Sequence, residues 1–202
     1  MGRRRRPQGV EAVLLWPGAG SSAEHPSLVA LAERISSTGR RVERIDFPYR
    51  IAGRRAPERA PVLMASVRTE VEQRCGRLGV EPGRVVIGGR SMGGRICSMV
   101  AAGADGVAPL DVAGVLLIAY PLHPPGRPDR LRTEHLADVC VPTLFVSGDR
   151  DPFGTPDELS RAQELLRGPV TSVTIPGARH ELARSDAAVA DATCDWLGPV
   201  TR

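Results

Sequence analysis

The chain has 202 residues, 42% of them apolar and 25% charged, which is the make-up of a water-soluble globular domain with a full hydrophobic core. Its formal net charge is +4, and Arg3, Arg4, Arg5 and Arg6 account for all of it, so residues 7–202 sum to zero and the basic tail, which could touch nucleic acid or acidic lipid, is read instead as solvated. No stretch is long and apolar enough to span a membrane, and Cys75, Cys97, Cys140 and Cys194 are scattered without a Cys-x-x-Cys pair, which speaks against a zinc site or a disulfide scaffold.

Residues 1–8 read as a solvated, disordered basic tail, and 9–202 as one domain. The apolar run Val10–Trp16 is short and broken by Glu11, which does not fit a secretion signal, and a cytoplasmic location is expected. Strand-like runs follow at Val10–Trp16, Val42–Phe47, Arg84–Gly88, Gly114–Ile118, Thr143–Ser147 and Thr171–Ile175. Between them lie helix-like runs at Ser27–Ser37, Pro61–Leu78, Met92–Ala102, Pro156–Leu166 and Ser185–Leu197, with a poorer one near Thr133–Ala137. Short apolar strands separated by helices predict an α/β fold: a doubly wound, mostly parallel sheet of about six strands covered on both faces. Two long Pro- and Arg-rich segments, Pro48–Ala60 and Tyr120–Arg132, each follow a strand and are expected at the carboxyl edge of the sheet, where ligands bind.

The most informative segment is Val85-Val86-Ile87-Gly88-Gly89-Arg90-Ser91-Met92-Gly93-Gly94. A β-branched run ending in Gly-x-Ser-x-Gly ahead of a helix predicts a serine on a sharp strand-to-helix turn, with its hydroxyl exposed. A serine nucleophile needs a base, and the base needs an acid to orient it. Of His25, His123, His135 and His180, only His180 follows the Gly148-Asp149-Arg150-Asp151 turn, giving the order Ser91, acid, His180. Spacing alone does not choose between Asp149 and Asp151. Backbone N–H groups of Met92 and of Ala19, in the Gly18-Ala19-Gly20 loop after the first strand, are candidates for an oxyanion hole.

The same loop, Gly18 to Ala23, also fits the G-x-G-x-x-A dinucleotide pattern, with Asp46 at the end of the next strand. That reading requires a helix to start within the glycines, and Glu24-His25-Pro26 delays it. A P-loop at Gly89–Gly94 fails because Arg95-Ile96 replaces Lys-Ser/Thr.

Five stretches resemble a small, cap-less α/β-hydrolase of the dienelactone-hydrolase-like branch. They are Pro17-Gly18-Ala19-Gly20; Asp46-Phe47-Pro48-Tyr49 with Gly53-Arg54-Arg55; Gly88 to Arg95; Tyr120 to Gly126 running on to Leu131–Leu136; and Gly148 to Gly154. The resemblance implies an α/β-hydrolase fold without a lid domain, no metal or organic cofactor, and Asp151 as the acid of a Ser91, Asp151, His180 triad. In one respect the chain departs from that branch: relatives usually carry His where it has Pro17.

Hydrolysis of a small carboxylic ester or related acyl compound is therefore expected, with no nucleic-acid or membrane partner. A non-catalytic binding protein on the same fold and a dinucleotide-binding oxidoreductase are the alternatives. Arg50, Arg54 and Arg55, on the segment after the second strand, are expected to hold a carboxylate or phosphate of the substrate, and His123 is a further candidate for substrate contact.

Overall fold

The computed structural model describes residues 6–199. Arg3, Arg4 and Arg5 of the expected tail lie outside the described residues, and within its remainder Pro7 is already buried. The strands are β1 (Ala12–Trp16), β2 (Arg41–Arg44), β3 (Val85–Arg90), β4 (Gly114–Ile118), β5 (Thr143–Gly148) and β6 (Val170–Ile175). The helices are α1 (Pro26–Ser36), α2 (Pro48–Ile51), α3 (Ala60–Leu78), α4 (Met92–Ala102), α5 (Pro156–Gln163) and α6 (Asp186–Leu197). The strands form one sheet in the order β2-β1-β3-β4-β5-β6, and every pairing is parallel.

Period-two alternation sends the residues of β1 to two different cores. Ala12, Leu14 and Trp16 pack with Leu63, Val67 and Val71 of α3 and Ile96 and Val100 of α4. Val13 and Leu15 pack on the other face with Leu28, Leu31 and Ile35 of α1 and Val189 and Trp196 of α6. With both faces covered, the central strands carry continuous apolar runs, and β1 and β4 are buried along their full length, whereas the edge strands β2 and β6 are partly exposed. Among the described residues no helix is long and apolar enough to cross a membrane.

Local chemistry sets the helix ends. Pro61 opens α3, and Gly79 closes it in the left-handed region at φ 64°. Thr155 and Glu158 form a reciprocal capping box at the start of α5.

Several expected elements differ from the structure. The second strand stops at Arg44 because Asp46 leaves the ladder and accepts the Ala23 N–H at 2.8 Å. The segment Pro48–Ala60, expected as loop, begins with the helical turn α2, which buries Tyr49. The expected helix near Thr133–Ala137 is only a 3-10 turn at Leu136–Asp138. The glycine loop after β1 does not open a helix: α1 starts at Pro26, capped by His25, and the Asp46 carboxylate is taken by Ala23. The dinucleotide fingerprint therefore lacks both its helix junction and its free ribose-binding acid.

Strand order reverses between β1 and β3, and crevices at such points hold ligands in open α/β sheets. Here the crevice is made by very close packing. A Cβ added at Gly89 (φ +150°) would lie 1.9 Å from the Trp16 carbonyl oxygen, and one at Gly93 would lie 2.3 Å from the same atom. Gly93→Ala should force α4 away from β1 and cost about 1–3 kcal/mol in urea unfolding. Gly20→Ala, where a Cβ meets nothing within 4 Å, should change stability by less than about 0.5 kcal/mol. Equal costs at the two positions would contradict this packing account.

Candidate active site

Ser91 is the single residue between β3 and α4. Its backbone sits at φ 49°, ψ −116°, a region that non-glycine residues occupy only when the surroundings enforce it. The enforcement is visible on both sides: the Ser91 N–H donates to the Ile118 carbonyl at 2.8 Å, and its carbonyl accepts from Arg95 N–H at 3.0 Å. This holds the hydroxyl at the carboxyl edge of the sheet.

His180 and Asp151 arrive from the loops after β6 and β5. His180 Nε2 lies 2.9 Å from Ser91 Oγ, and Nδ1 lies 2.8 Å from Asp151 Oδ2 and 3.1 Å from Oδ1. Asp151 is only 3% exposed and also accepts the Phe153 N–H at 2.8 Å. Asp149, in contrast, is exposed and takes no part. Of the two aspartates that spacing left open, Asp151 is the one paired with His180. The acid loop and the histidine loop are tied together: Asp149 N–H donates to Ile175 O at 3.2 Å and Arg150 N–H to Ala178 O at 2.9 Å. The Phe153 ring stacks on the imidazole of His180 with centroids 4.0 Å apart, which fixes the ring plane.

The three side chains border a cavity of ≈ 600 Å³, lined by Ala19, Ser91, Met92, Arg95, Arg132 and His180 among others. Both candidate oxyanion donors are therefore at the cavity, and neither the Ala19 nor the Met92 N–H is taken up by a backbone acceptor among the described residues. Tyr49, which the sequence reading did not single out, donates its hydroxyl to the Ala19 carbonyl at 2.7 Å and anchors that loop from beneath. Pro17 is buried, and its carbonyl faces Gly93, so the departure from the family pattern lies under the loop rather than in the cavity.

The expected substrate-contact residues lie elsewhere. Arg54 and Arg55 are exposed and line no part of the cavity; Arg54 pairs with Glu58, four residues on. Arg50 does not line it either. His123 is buried, with Nδ1 donating to the Pro124 carbonyl at 2.9 Å and Nε2 3.4 Å from Glu158. Of the segment Pro48–Ala60 it is Pro57 that reaches the cavity, while Arg54 and Arg55, after the turn α2, face solvent. The arginines at the cavity are Arg90, Arg95 and Arg132. Arg90 braces the histidine loop, donating to Ser27 Oγ and to the Glu181 carbonyl at 2.7 Å. Helix periodicity could have found Arg95, which stands four residues after Ser91 on the same helical face. Among the described residues, no group of three or more His, Cys, Asp and Glu side chains is arranged to hold a metal ion.

The chain belongs to the alpha/beta hydrolase domain family, whose model matches residues 9–195. Solved structures share the fold at low identity. Dienelactone hydrolase from Anabaena variabilis is 23% identical, with a TM-score of 0.71 over 95% of this chain and 87% of that one. An alpha-beta serine hydrolase homologue from Coxiella burnetii is 18% identical, with a TM-score of 0.71 over 92% and 86%. A monoacylglycerol lipase from Paleococcus ferrophilus is 16% identical, with a TM-score of 0.72 over 93% and 95%.

A second histidine lies behind the site. Ser98 Oγ donates to the Arg95 carbonyl at 2.7 Å, so the His135 Nε2–H donates to Ser98 Oγ at 2.8 Å. Burial first, and then the charge of Arg95, lower the His135 pKa to about 4. Above pH 6.5 His135 is neutral in both the folded and the unfolded chain. Between 6.5 and 4 only the unfolded chain takes up the proton, so stability falls as pH falls, by up to about 3 kcal/mol for this group. His135→Gln should be less stable at pH 7 yet lose less on going to pH 4.5, as read by urea unfolding at both values. An unchanged acid dependence would show that His135 takes up its proton as readily in the native state as in the unfolded chain.

Proposed function

We propose that the protein is a serine hydrolase acting on a small carboxylic ester or related acyl compound. The observation that carries this reading is the Ser91–His180–Asp151 relay, with contacts of 2.9 and 2.8 Å, opening on a cavity of ≈ 600 Å³. Family membership and the dienelactone-hydrolase and monoacylglycerol-lipase neighbours support it.

In this mechanism Ser91 Oγ attacks the substrate carbonyl while His180 Nε2 takes the hydroxyl proton. Asp151 holds the tautomer with the proton on Nδ1 and stabilises the imidazolium that forms. The N–H groups of Ala19 and Met92 donate to the oxyanion of the tetrahedral intermediate. Collapse breaks the ester C–O bond, and the proton on Nε2 passes to the leaving alkoxide. Water, deprotonated by the same nitrogen, then cleaves the acyl-enzyme and restores Ser91. The residues supply every proton transfer, and the consumed co-reactant is water. A cytoplasmic location and a single domain over 9–202 remain part of the proposal.

A fluorophosphonate probe should label native protein at Ser91 and leave unfolded protein and Ser91→Ala unlabelled. Absence of labelling in correctly folded protein would favour a non-catalytic binding role. Asp151→Asn should lower ester turnover by roughly 10⁴-fold through the wrong imidazole tautomer. Asp149→Asn should lower it less than about tenfold, because that side chain is exposed and outside the relay. A larger loss at Asp149 would overturn the assignment of the acid.

A further inference from the structure

The three arginines at the cavity are not equivalent. Arg90 uses its donors on Ser27 Oγ and on the carbonyls of His180 and Glu181. Arg132 gives Nη1 to the Pro121 carbonyl at 3.1 Å, and its own carbonyl accepts the Tyr120 hydroxyl at 2.6 Å, which holds the residue in place. Arg95 makes no side-chain hydrogen bond and no ion pair among the described residues, and its Nε is shut off from solvent without a partner. No carboxylate lies within 4.0 Å of either the Arg95 or the Arg132 guanidinium among the described residues.

Every other feature of these two residues makes the lack of a counter-ion costly. Both are half-buried. Burial, followed by the positive charge of Arg95, lowers the proton affinity of Arg132, so the two guanidinium groups feel each other. The acids nearby are Glu134, which acts weakly on Arg132; Asp105 and Asp138, which with Glu134 and Arg95 border a neighbouring cavity; and Glu181, an exposed residue at the cavity rim whose field falls on Arg90. Like charges gathered at a partly desolvated wall are relieved by an anion that takes hydrogen bonds from both. Position adds direction. Arg95 stands one turn after Ser91 on α4, where helical side chains lean toward the N-terminus, and it lines the cavity that holds Ser91 as well as the neighbouring one beside His135. Arg132 enters from the segment after β4.

We infer that Arg95 and Arg132 form a carboxylate subsite beside Ser91, which makes the substrate a short ester whose acyl part ends in a carboxylate. The word substrate rests on the serine-hydrolase reading above, whereas the subsite itself does not. The carboxylate accepts from the guanidinium N–H groups, the ester carbonyl lies over Ser91, and the alcohol leaves toward the open side. Arg54 and Arg55 have no part in it.

The test separates binding from chemistry. Monomethyl adipate is titrated calorimetrically into Ser91→Ala protein, alone and combined with Arg95→Gln or Arg132→Gln, with folding of each checked by thermal melting. The expected result is saturable binding that weakens about tenfold or more in each arginine variant and weakens with added salt. No binding to the Ser91→Ala protein, or binding indifferent to both substitutions, overturns the subsite whatever Ser91 does. In parallel, wild-type kcat/KM is compared for mono-4-nitrophenyl adipate and the neutral 4-nitrophenyl hexanoate. The ratio should favour the adipate by about tenfold and fall toward one in Arg95→Gln and Arg132→Gln. A ratio near one in the wild type overturns the substrate class. Arginine-dependent binding without turnover of either ester keeps the subsite and instead removes the hydrolase reading.

Discussion

The contact on which the rest depends is backbone against backbone, where the start of α4 meets the end of β1. Trp16 O occupies the space that side chains at Gly89 and Gly93 would need, with virtual Cβ distances of 1.9 and 2.3 Å. Only chain without Cβ atoms can pass there, and that passage turns β3 into α4 within the single residue Ser91, at φ 49°. The turn points the hydroxyl out of the sheet and leaves the Met92 N–H free at a helix N-terminus. It also presses the glycine loop after β1 against the serine, so that a Cβ at Gly18 would touch Ser91 Cβ at 3.6 Å. Ser91 and the candidate oxyanion donors are thus set by one packing constraint rather than by separate devices.

The remaining parts are supplied by topology. A parallel sheet places the carboxyl ends of all its strands along one edge, so loops far apart in sequence converge there without long excursions. His180 comes from after β6 and Asp151 from after β5, and their loops are joined by main-chain hydrogen bonds. Gly148 permits that union, since a Cβ there would stand 2.1 Å from Ala178 O. Arg90, at the end of β3, ties the histidine loop back to Ser27 at the start of α1, so the imidazole is held from both directions. Phe153 stacks on its face, and the buried carboxylate of Asp151 holds its edge.

Much of this was legible in the chain of letters. All six strands and five of the helices were placed by apolar runs and by Pro and Gly at their ends, and the runs are clearest in the central strands, which are buried on both sheet faces. Gly-x-Ser-x-Gly and the order of Ser91, Asp151 and His180 exposed the candidate machinery. The errors share one cause. The second strand was drawn too long because Asp46 abandons the ladder for a side-chain bond to Ala23, which has no local signature. The segment holding Arg54 and Arg55 was placed at the cavity because a strand precedes it, and Pro57 does line the cavity, but the two arginines after the turn α2 face solvent.

By itself, then, the sequence determined the fold class, the serine on its elbow and the family to which the chain belongs, since these rest on local pattern and on residue types that only one geometry accommodates. The tertiary structure decided between Asp149 and Asp151, replaced Arg54 and Arg55 by Arg95 and Arg132 at the cavity wall, and revealed Tyr49 beneath Ala19. Those choices depend on which side chains meet across distances of tens of residues, and on which are buried without a partner. Neither property is a function of sequence neighbours, because the direction of a side chain at the end of a strand or turn is set by the packing of the whole sheet.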